Sequence, residues 1–264
     1  MLLDAQKRAL EMIVRGAPLS ETLCYFAAIV EQEADSRVFA SILLVDDAGC
    51  LYTGGAPSLP ADYCNAIDGL KAREDLGTCS VVAVTGQVVI TPDIDADPKW
   101  QSIKYLPLGI GLKSAWSQPI LGADGRVLAT FGTYFPECRT PSAQERRLVA
   151  VLAQTAALAI ERARDDEAKE QQRKILNTAT EAAEMGTWRY TFDDNMFYAS
   201  PLAQTLYGLP GDTWLHDRAG VRDVLHPDDI PAMWDRLAVA VDPKGDGRYR
   251  AEYRVRRPEE APAR

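Results

Sequence analysis

The sequence predicts an α+β protein in which an antiparallel sheet with helices is followed by a long connecting helix and a second, smaller domain. Two pairs of β-rich runs flank residues 46–49 and 122–125, and both connections have the composition of hairpin turns. Residues 142–185 contain neither glycine nor proline and carry a helical apolar stripe. A helix of about 40 residues cannot be covered by one small domain, so it is predicted to link two domains.

The first elements are two helices and a buried strand. Residues 2–15 and 20–33 have the apolar spacing of helices. The run that ends at Val45 is apolar on both alternating faces, which predicts a central strand covered on both sides. The turns Asp46-Asp47-Ala48-Gly49 and Gly122-Ala123-Asp124-Gly125 then predict two hairpins, so the strands of the sheet come from two separate parts of the chain.

The long helix is predicted to begin after Ser142, which is a suitable N-cap. Its apolar stripe consists of Leu148, Val151, Leu152, Thr155, Leu158 and Ala159. Its middle is almost wholly charged or polar, and an apolar face resumes at Ile175. Two interpretations remain open, a solvated helical linker and a parallel homodimer joined along its helices.

The segment after Gly186 is predicted to form a new, smaller domain. A hairpin pattern around residues 193–195 is followed by short helices at 201–207 and 228–241. Residues 247–257 alternate strictly between two residue classes, which predicts a further strand.

Composition and charge narrow the class of partner. The 264 residues are 47% hydrophobic and 25% charged, as in globular proteins, and the formal net charge is −9. This acidic balance argues against a nucleic-acid or anionic-membrane partner and favours small molecules and proteins. No apolar run approaches the roughly 18 residues of a membrane span, so a cytoplasmic location is expected.

Metal and cofactor chemistry are not predicted. The five cysteines are scattered without a C-x-x-C pair, and the two histidines, His216 and His226, are far from all of them. His226 precedes Pro227-Asp228-Asp229 and is interpreted as a helix cap. Asp97 before Pro98 is interpreted in the same way, in preference to a carboxylate cluster with Asp93 and Asp95.

The first domain resembles a GAF domain of the kind found in bacterial sensor proteins. The resemblance rests on "ASILLVDDAGCL", "GAPSLPADYCNAIDGL", "LGTCSVVAVTGQVVITPDIDADPKW", "GLKSAWSQPILGADGRVLATFGTYF" and "LVAVLAQTAALAIERA", which span nearly all of residues 20–165. It implies a sheet with helices on one face and a ligand cavity on the other.

The second domain resembles the start of a PAS domain with a His-Pro-Asp-Asp signature. The matching stretches are "AAEMGTWRYTF", "LYGLPGD", "LHPDDI" and "YRAEYRVRR". Such domains finish with two more strands, where this chain has "RRPEEAPAR", so an incomplete fold is expected. The predicted organisation is a GAF domain at 1–165, a signalling helix at 160–185 and a partial PAS domain at 186–258.

Together the two resemblances imply the sensory input region of a signal-transduction protein. A GAF–PAS sensor histidine kinase of a two-component system is the preferred interpretation, and the sensory region of a cyclic-di-GMP cyclase or phosphodiesterase is the alternative. The chain has no phosphoacceptor-histidine helix, ATP-binding box, Gly-Gly-Asp-Glu-Phe or Glu-Ala-Leu signature. No catalysis is therefore expected within it.

Cys79 is the residue most open to a chemical role. With Thr78 as N-cap it would lie in the first turn of a helix, where a thiolate is favoured. GAF relatives that reduce free methionine sulfoxide need a second cysteine after the Asp-rich loop, and bilin-binding relatives need a Cys-His pair there; this chain has neither. Packing against the cavity is therefore preferred over redox or ligand sensing, and both over catalysis.

The resemblance places a candidate cavity wall along three segments of the first domain. Ser114, Trp116 and Gln118 share one face of their strand, as Thr130, Gly132 and Tyr134 do on its partner. The nine candidate ligand-binding residues are Cys79, Val82, Trp100, Tyr105, Ser114, Trp116, Gln118, Thr130 and Tyr134. Six of them are apolar or aromatic, and Ser114, Gln118 and Thr130 are possible hydrogen-bonding groups. Because the Asn-Lys-x-Asp signature of nucleotide-binding GAF domains is also missing, a small, largely apolar or aromatic ligand, or none, is expected.

Overall fold

The computed structural model describes residues 2–34, 36–191, 193, 196–208 and 224–256. Contacts divide the chain into two compact units, Met1–Ala168 and Lys169–Arg264.

The first unit contains six strands and most of the helices. Its helices are α1 (Leu2–Val14), α2 (Leu19–Glu33), α3 (Ala61–Ile67), α4 (Gly77–Thr85), a 3₁₀ turn at Pro98–Trp100, and α5 (Tyr105–Gly109). Its strands are β1 (Phe39–Val45), β2 (Cys50–Gly55), β3 (Leu70–Lys71), β4 (Val89–Thr91), β5 (Ser114–Leu121) and β6 (Val127–Phe135). The long helix α6 (Ala143–Ala182) begins in this unit.

All six strands form one antiparallel sheet in the order β3-β2-β1-β6-β5-β4. Both predicted hairpins are confirmed, as β1–β2 and β5–β6. The prediction of a central strand is also confirmed, because β1 lies between β2 and β6 and its middle residues are buried.

The two faces of the sheet belong to two different hydrophobic clusters. The helix side joins the sheet to α2 and α6 and includes Phe26, Ile42, Trp116, Phe131, Phe135, Leu152 and Ile160. The opposite side includes Leu43, Val45, Leu51, Tyr63, Cys79, Trp100 and Tyr134. Neighbouring residues of β1 such as Ile42 and Leu43 therefore serve different clusters, as the alternation of a strand requires.

Helix α6 confirms the predicted continuous helix and its cap. The Glu145 amide donates to Ser142 Oγ at 3.1 Å, and the Ser142 amide donates to Glu145 Oε2 at 2.7 Å, which is a capping box. The stripe expected to face a second copy is divided, because Leu152 is fully buried in the chain's own helix-side cluster whereas Leu158 is 56% exposed. A substitution at Leu152 would therefore disturb the domain core.

The second unit contains a two-stranded sheet and short helices. These are β7 (Trp188–Thr191), β8 (Met196–Ala199), α7 (Pro201–Leu206), a 3₁₀ turn at Pro227–Asp229, and α8 (Ile230–Ala240). His226 caps the 3₁₀ turn by accepting from the Asp228 amide, as predicted. His216 and part of the predicted turn at 193–195 lie outside the described residues.

The predicted strand at 247–257 is wrong for the described part, residues 247–256. Only Val255 forms a β-bridge there, with Leu225. The backbone N–H of Arg254 donates to the Asp229 carboxylate at 2.8 Å, so a side chain replaces the strand partner. Alternation alone does not make a strand where a neighbouring strand does not continue the hydrogen-bond ladder.

Candidate functional site

A row of buried polar side chains lies between α4 and the sheet. Cys79 Sγ is 3.0 Å from Ser117 Oγ and 3.6 Å from Tyr134 Oη. The Ser117 hydroxyl donates to Thr78 Oγ1 at 3.0 Å, and the hydroxyls of Tyr134 and Ser41 are 3.3 Å apart. We call Ser41, Thr78, Cys79, Ser117 and Tyr134 the polar row; it connects β1, β6 and β5 to the first turn of α4.

The backbone around α4 explains why the row can form. Helix α4 begins at Gly77, whose φ of +75° suits glycine, and a Cβ there would come within 2.8 Å of the Trp100 ring. Thr78 is therefore inside the helix, and its predicted role as N-cap is wrong, because its hydroxyl accepts from Ser117. Cys79 does lie in the first turn, as predicted, and is buried.

The loop after β4 holds Trp100 against this site. Asp97 caps the 3₁₀ turn by accepting from the Lys99 amide at 3.0 Å, which confirms the predicted cap. Its other carboxylate oxygen accepts from the Thr91 hydroxyl, and Thr91 in turn accepts from Trp100 Nε1 at 3.3 Å. The Asp97 carboxylate thus positions the Trp100 indole ring through the Thr91 hydroxyl.

A small cavity adjoins the polar row. Its volume is ≈ 20 Å³, room for about one water molecule. It is lined by Leu43, Leu51, Tyr63, Ile67, Leu70, Leu76, Cys79, Ser80, Trp100, Ile103 and Tyr134. These lining residues include no charged side chain, so the cavity suits neutral chemistry.

The two tyrosines of the cavity keep neutral hydroxyl groups. Burial raises the pKa of Tyr134 well above its ordinary value, and the neighbouring Cys79 and Tyr63 raise it further. Burial likewise raises the pKa of Tyr63. The two rings meet edge to face with centroids 6.2 Å apart, a favourable arrangement for an aromatic pair.

The structure brings together only part of the predicted site. Cys79, Trp100 and Tyr134 line the cavity. Val82 and Thr130 are buried, and Thr130 shares the cavity face of β6, but neither is among the lining residues. Tyr105 is 67% exposed on α5, so its predicted place in the cavity is wrong.

The predicted wall on β5 is also wrong. Trp116 lies opposite Thr133, and Ser114 opposite Phe135, so both point to the helix side together with Gln118. Ser117, between Trp116 and Gln118, is the β5 residue that joins the polar row. Side chains within each strand were grouped correctly, but the register between the strands places the two groups on opposite faces.

Sequence reasoning missed Ser41, Ser117 and Tyr63. Ser41 is the only hydroxyl side chain in the strand "FASILLV", and that isolated polar residue in a buried strand was a usable signal. Tyr63 gave no such signal, because its place depends on how α3 packs over the sheet.

Within the described residues, no group of three or more His, Cys, Asp or Glu side chains is placed to share an ion. Among the same residues, no helix has the length and apolarity needed to span a membrane.

The second unit has an aromatic pocket of its own. Its volume is ≈ 40 Å³, and its lining includes Trp188, Tyr190, Phe197, Tyr207, Met233, Trp234, Tyr249 and Tyr253. The hydroxyls of Tyr207 and Tyr253 are 2.7 Å apart, and burial raises the pKa of Tyr207. This unit therefore also has a core of aromatic rings around paired hydroxyls.

The first unit is thus a mixed α+β domain whose antiparallel sheet carries helices on one face and a cavity without charged lining residues on the other. The sequence model of the GAF domain matches residues 17–161, and the chain belongs to the GAF domain family.

Relatives and solved structures are similar to part of the chain. A "Methyl sulfide methyltransferase-associated sensor" from Methanosarcina acetivorans is 33% identical over 160 residues, which are 61% of this chain and 16% of that protein. The chain thus spans less than a fifth of that relative's length.

Two GAF domains of phosphoenolpyruvate-protein phosphotransferases share the fold. The one from Coxiella burnetii has a TM-score of 0.53 and 18% identity, covering 63% of this chain and 96% of its own. The one from Acinetobacter has a TM-score of 0.50 and 14% identity, covering 63% and 97%. At these identities the similarity concerns the fold alone.

Proposed function

We propose that the first unit is the sensory domain of a signal-transduction protein and that a small neutral ligand, apolar or aromatic, binds beside the polar row. Such a ligand must widen the cavity, whose ≈ 20 Å³ hold about one water molecule. The cavity lining supports this proposal, because it offers aromatic and aliphatic surface, neutral hydroxyls and no charge. A phosphate-bearing ligand would require a cation that this lining lacks.

The observation that carries the proposal is the alternation along β6. Tyr134 faces the cavity and the polar row, whereas the next residue, Phe135, belongs to the cluster that includes Val149 and Leu152 of α6. The Arg139 guanidinium lies over the Phe135 ring, 3.5 Å from its centroid, and pairs with Glu145 of α6 at 2.7 Å. A ligand that displaces Tyr134 would therefore act on the start of α6 through rigid backbone.

The output would pass along α6. In this proposal α6 pairs with a second copy in a parallel homodimer and connects the GAF domain to a PAS-type unit and onward to a histidine kinase core. The sensor from Methanosarcina acetivorans supports the sensory role. A cyclic-di-GMP enzyme as the output module is the alternative, and the choice between them rests on analogy.

Binding without catalysis is part of the proposal. Cys79 has hydroxyl neighbours, and the cavity lining contains no His, Asp or Glu to accept its proton. Incubation of the purified protein with free methionine sulfoxide and a thiol reductant should therefore give no turnover. Turnover that is lost in Cys79→Ala would replace the proposal with an enzymatic one.

A ligand screen tests the sensory proposal. Native mass spectrometry and thermal shift would compare neutral aromatic metabolites with cyclic nucleotides. We expect saturable stabilisation by a neutral compound, and we expect Tyr134→Phe to weaken it about fivefold or more by removing one hydroxyl. Tyr105→Phe is the matched control, since that ring is exposed. Stabilisation by cyclic AMP or cyclic GMP, or equal effects of both variants, would overturn the assignment of ligand class and site.

A further inference from the structure

Helix α6 is fastened to both hairpin turns of the sheet within one helical turn. Glu161 Oε1 accepts from the Ala123 amide of the β5–β6 turn at 2.7 Å. Arg164 Nη2 donates to the Val45 carbonyl, the last of β1, at 2.6 Å. We call Glu161, Arg164 and the two turns, residues 45–49 and 122–126, the hairpin clamp.

The strength of the clamp comes from backbone groups. Charge-assisted hydrogen bonds to backbone N–H and C=O groups are stronger than exposed ion pairs. Arg126 and Asp47 link the two turns at 3.6 Å, but both side chains are largely exposed, so this third contact contributes little. Glu161 and Arg164 are half-buried and carry the attachment.

The clamp lies where α6 leaves the core of the first unit. Ile160 is the last buried residue of α6. After Arg164, residues 165–169 are all exposed. Glu161 and Arg164 thus follow directly on the buried part of the helix and precede its solvated part.

Residues of β1 and β2 connect the cavity wall to the clamp. Leu51 lines the cavity and lies directly opposite Val45, and both belong to the cavity-side cluster. The carbonyl that accepts from Arg164 therefore belongs to Val45, whose side chain packs with the cavity wall.

We propose that the hairpin clamp transmits the state of the cavity to α6, with Glu161 and Arg164 as positioning residues. This rests on the proposed sensory function. A change in the cavity wall shifts the Leu51–Val45 pair, and the Val45 carbonyl then moves relative to Arg164. The helix follows the turns while both hydrogen bonds hold, and it is released when they break.

A double-mutant cycle read by amide hydrogen exchange tests the clamp without any ligand. Leu51→Ala perturbs the cavity wall, and Glu161→Met/Arg164→Met removes the clamp while keeping the apolar stems. We expect Leu51→Ala alone to raise exchange in residues 161–168 about fivefold, and the clamp variant alone to do the same. With the clamp removed, Leu51→Ala should add less than about twofold.

Matched variants decide the outcome. Arg162→Met/Arg173→Met removes two cations of the same helix that pair with Asp166 and Glu170 within it, and it should leave the response to Leu51→Ala intact. If Leu51→Ala does not fold, Leu51→Val replaces it. An equal response with and without the clamp, or no response in α6 while β1 and β2 exchange faster, would overturn the proposal. Since no ligand is used, a failed ligand screen would reject the sensory assignment and leave this result standing.

Discussion

Cys79 and Gly132 are sterically interlocked across the α4–sheet interface. A Cβ atom at position 132 would lie 2.7 Å from Cys79 Sγ, 2.9 Å from Tyr134 Oη and 3.1 Å from Ser41 Oγ. The polar row therefore occupies the space that a side chain on β6 would need. The glycine is required by this close approach, and any larger residue must displace at least one member of the row.

We expect Gly132→Ala to destabilise the first unit by about 1–3 kcal/mol, because a methyl group would be forced into a packed site. Urea unfolding followed by circular dichroism measures the change. Gly109→Ala is the matched control, since no atom of the described residues crowds its added Cβ within 4 Å. A loss in the control as large as that in Gly132→Ala would show that the interlock is not the cause.

The same interlock predicts a rescue. Cys79→Ala removes the atom closest to the new methyl group, so the double variant Gly132→Ala/Cys79→Ala should be more stable than the sum of the two single losses by about 0.5–1 kcal/mol. The cycle is read from the same urea titrations. Simple additivity would mean that Tyr134 or Ser41, and not Cys79, sets the steric limit.

Trp116 and Cys79 should differ sharply as sites of substitution. Trp116 is fully buried on the helix side, so Trp116→Ala should cost about 3–5 kcal/mol, whereas Cys79→Ala should cost about 1 kcal/mol. Trp116 Nε1 has no hydrogen-bond partner among the described residues. Trp116→Phe therefore removes no hydrogen bond and keeps an aromatic ring buried at this position. We expect it to cost less than about 1.5 kcal/mol, and a cost equal to that of the alanine would contradict this account.

Local chemistry was enough to predict the two hairpin turns and two caps of the first unit, but not the start of α4, where the cap predicted at Thr78 is wrong. The Asp-Asp-Ala-Gly and Gly-Ala-Asp-Gly turns, the Asp97 cap and the Ser142 cap depend on a few adjacent residues, and all four are confirmed. The composition of the cavity wall also depends on how distant strands pair. The register of β5 against β6 decides whether Trp116 lies on the same face of the sheet as Tyr134. That register includes an irregularity between Ile120 and Leu121.

Non-local packing explains the remaining differences. Tyr105 is aromatic and is predicted to line the cavity, yet the short helix α5 leaves its ring in solvent. The anchors Glu161 and Arg164 are ordinary charged residues in a charged stretch, and only the position of the two turns gives them partners. Neither outcome is encoded within a few neighbouring residues.

The start of α6 should show a defined pH dependence. Hydrogen bonds from Arg139 lower the pKa of Glu145 below its ordinary value of 4.5. A carboxyl whose pKa is lowered by folding stabilises the fold above its unfolded pKa, and this contribution is lost as the pH falls through the folded pKa. Glu145→Gln should therefore cost roughly 1–2 kcal/mol at pH 7 and progressively less in acid.

Thermal unfolding of wild type and Glu145→Gln over a pH series measures this dependence. Glu167→Gln is the control, because Glu167 is an exposed glutamate on the same helix. Its effect should be small and flat with pH. A Glu145→Gln loss that stays constant from neutral pH into acid would mean that the charge of Glu145 contributes nothing to the start of α6.

The exposed apolar residues of α6 should join two copies of the chain. Leu158 and Ile175 are both more than half exposed and are seventeen residues apart, the separation between an a position and the d position two heptads further on. Burying such side chains against a partner contributes about 1.5–3 kcal/mol each, so Leu158→Glu/Ile175→Glu should weaken a dimer at least about tenfold.

Sedimentation velocity over a micromolar concentration series gives the mass of each protein. Val84→Glu, at an exposed apolar position on α4, should leave the dimer unchanged. A wild-type chain that sediments as a monomer throughout the series, or a control that dissociates as readily as the α6 variant, would remove α6 as the dimer interface.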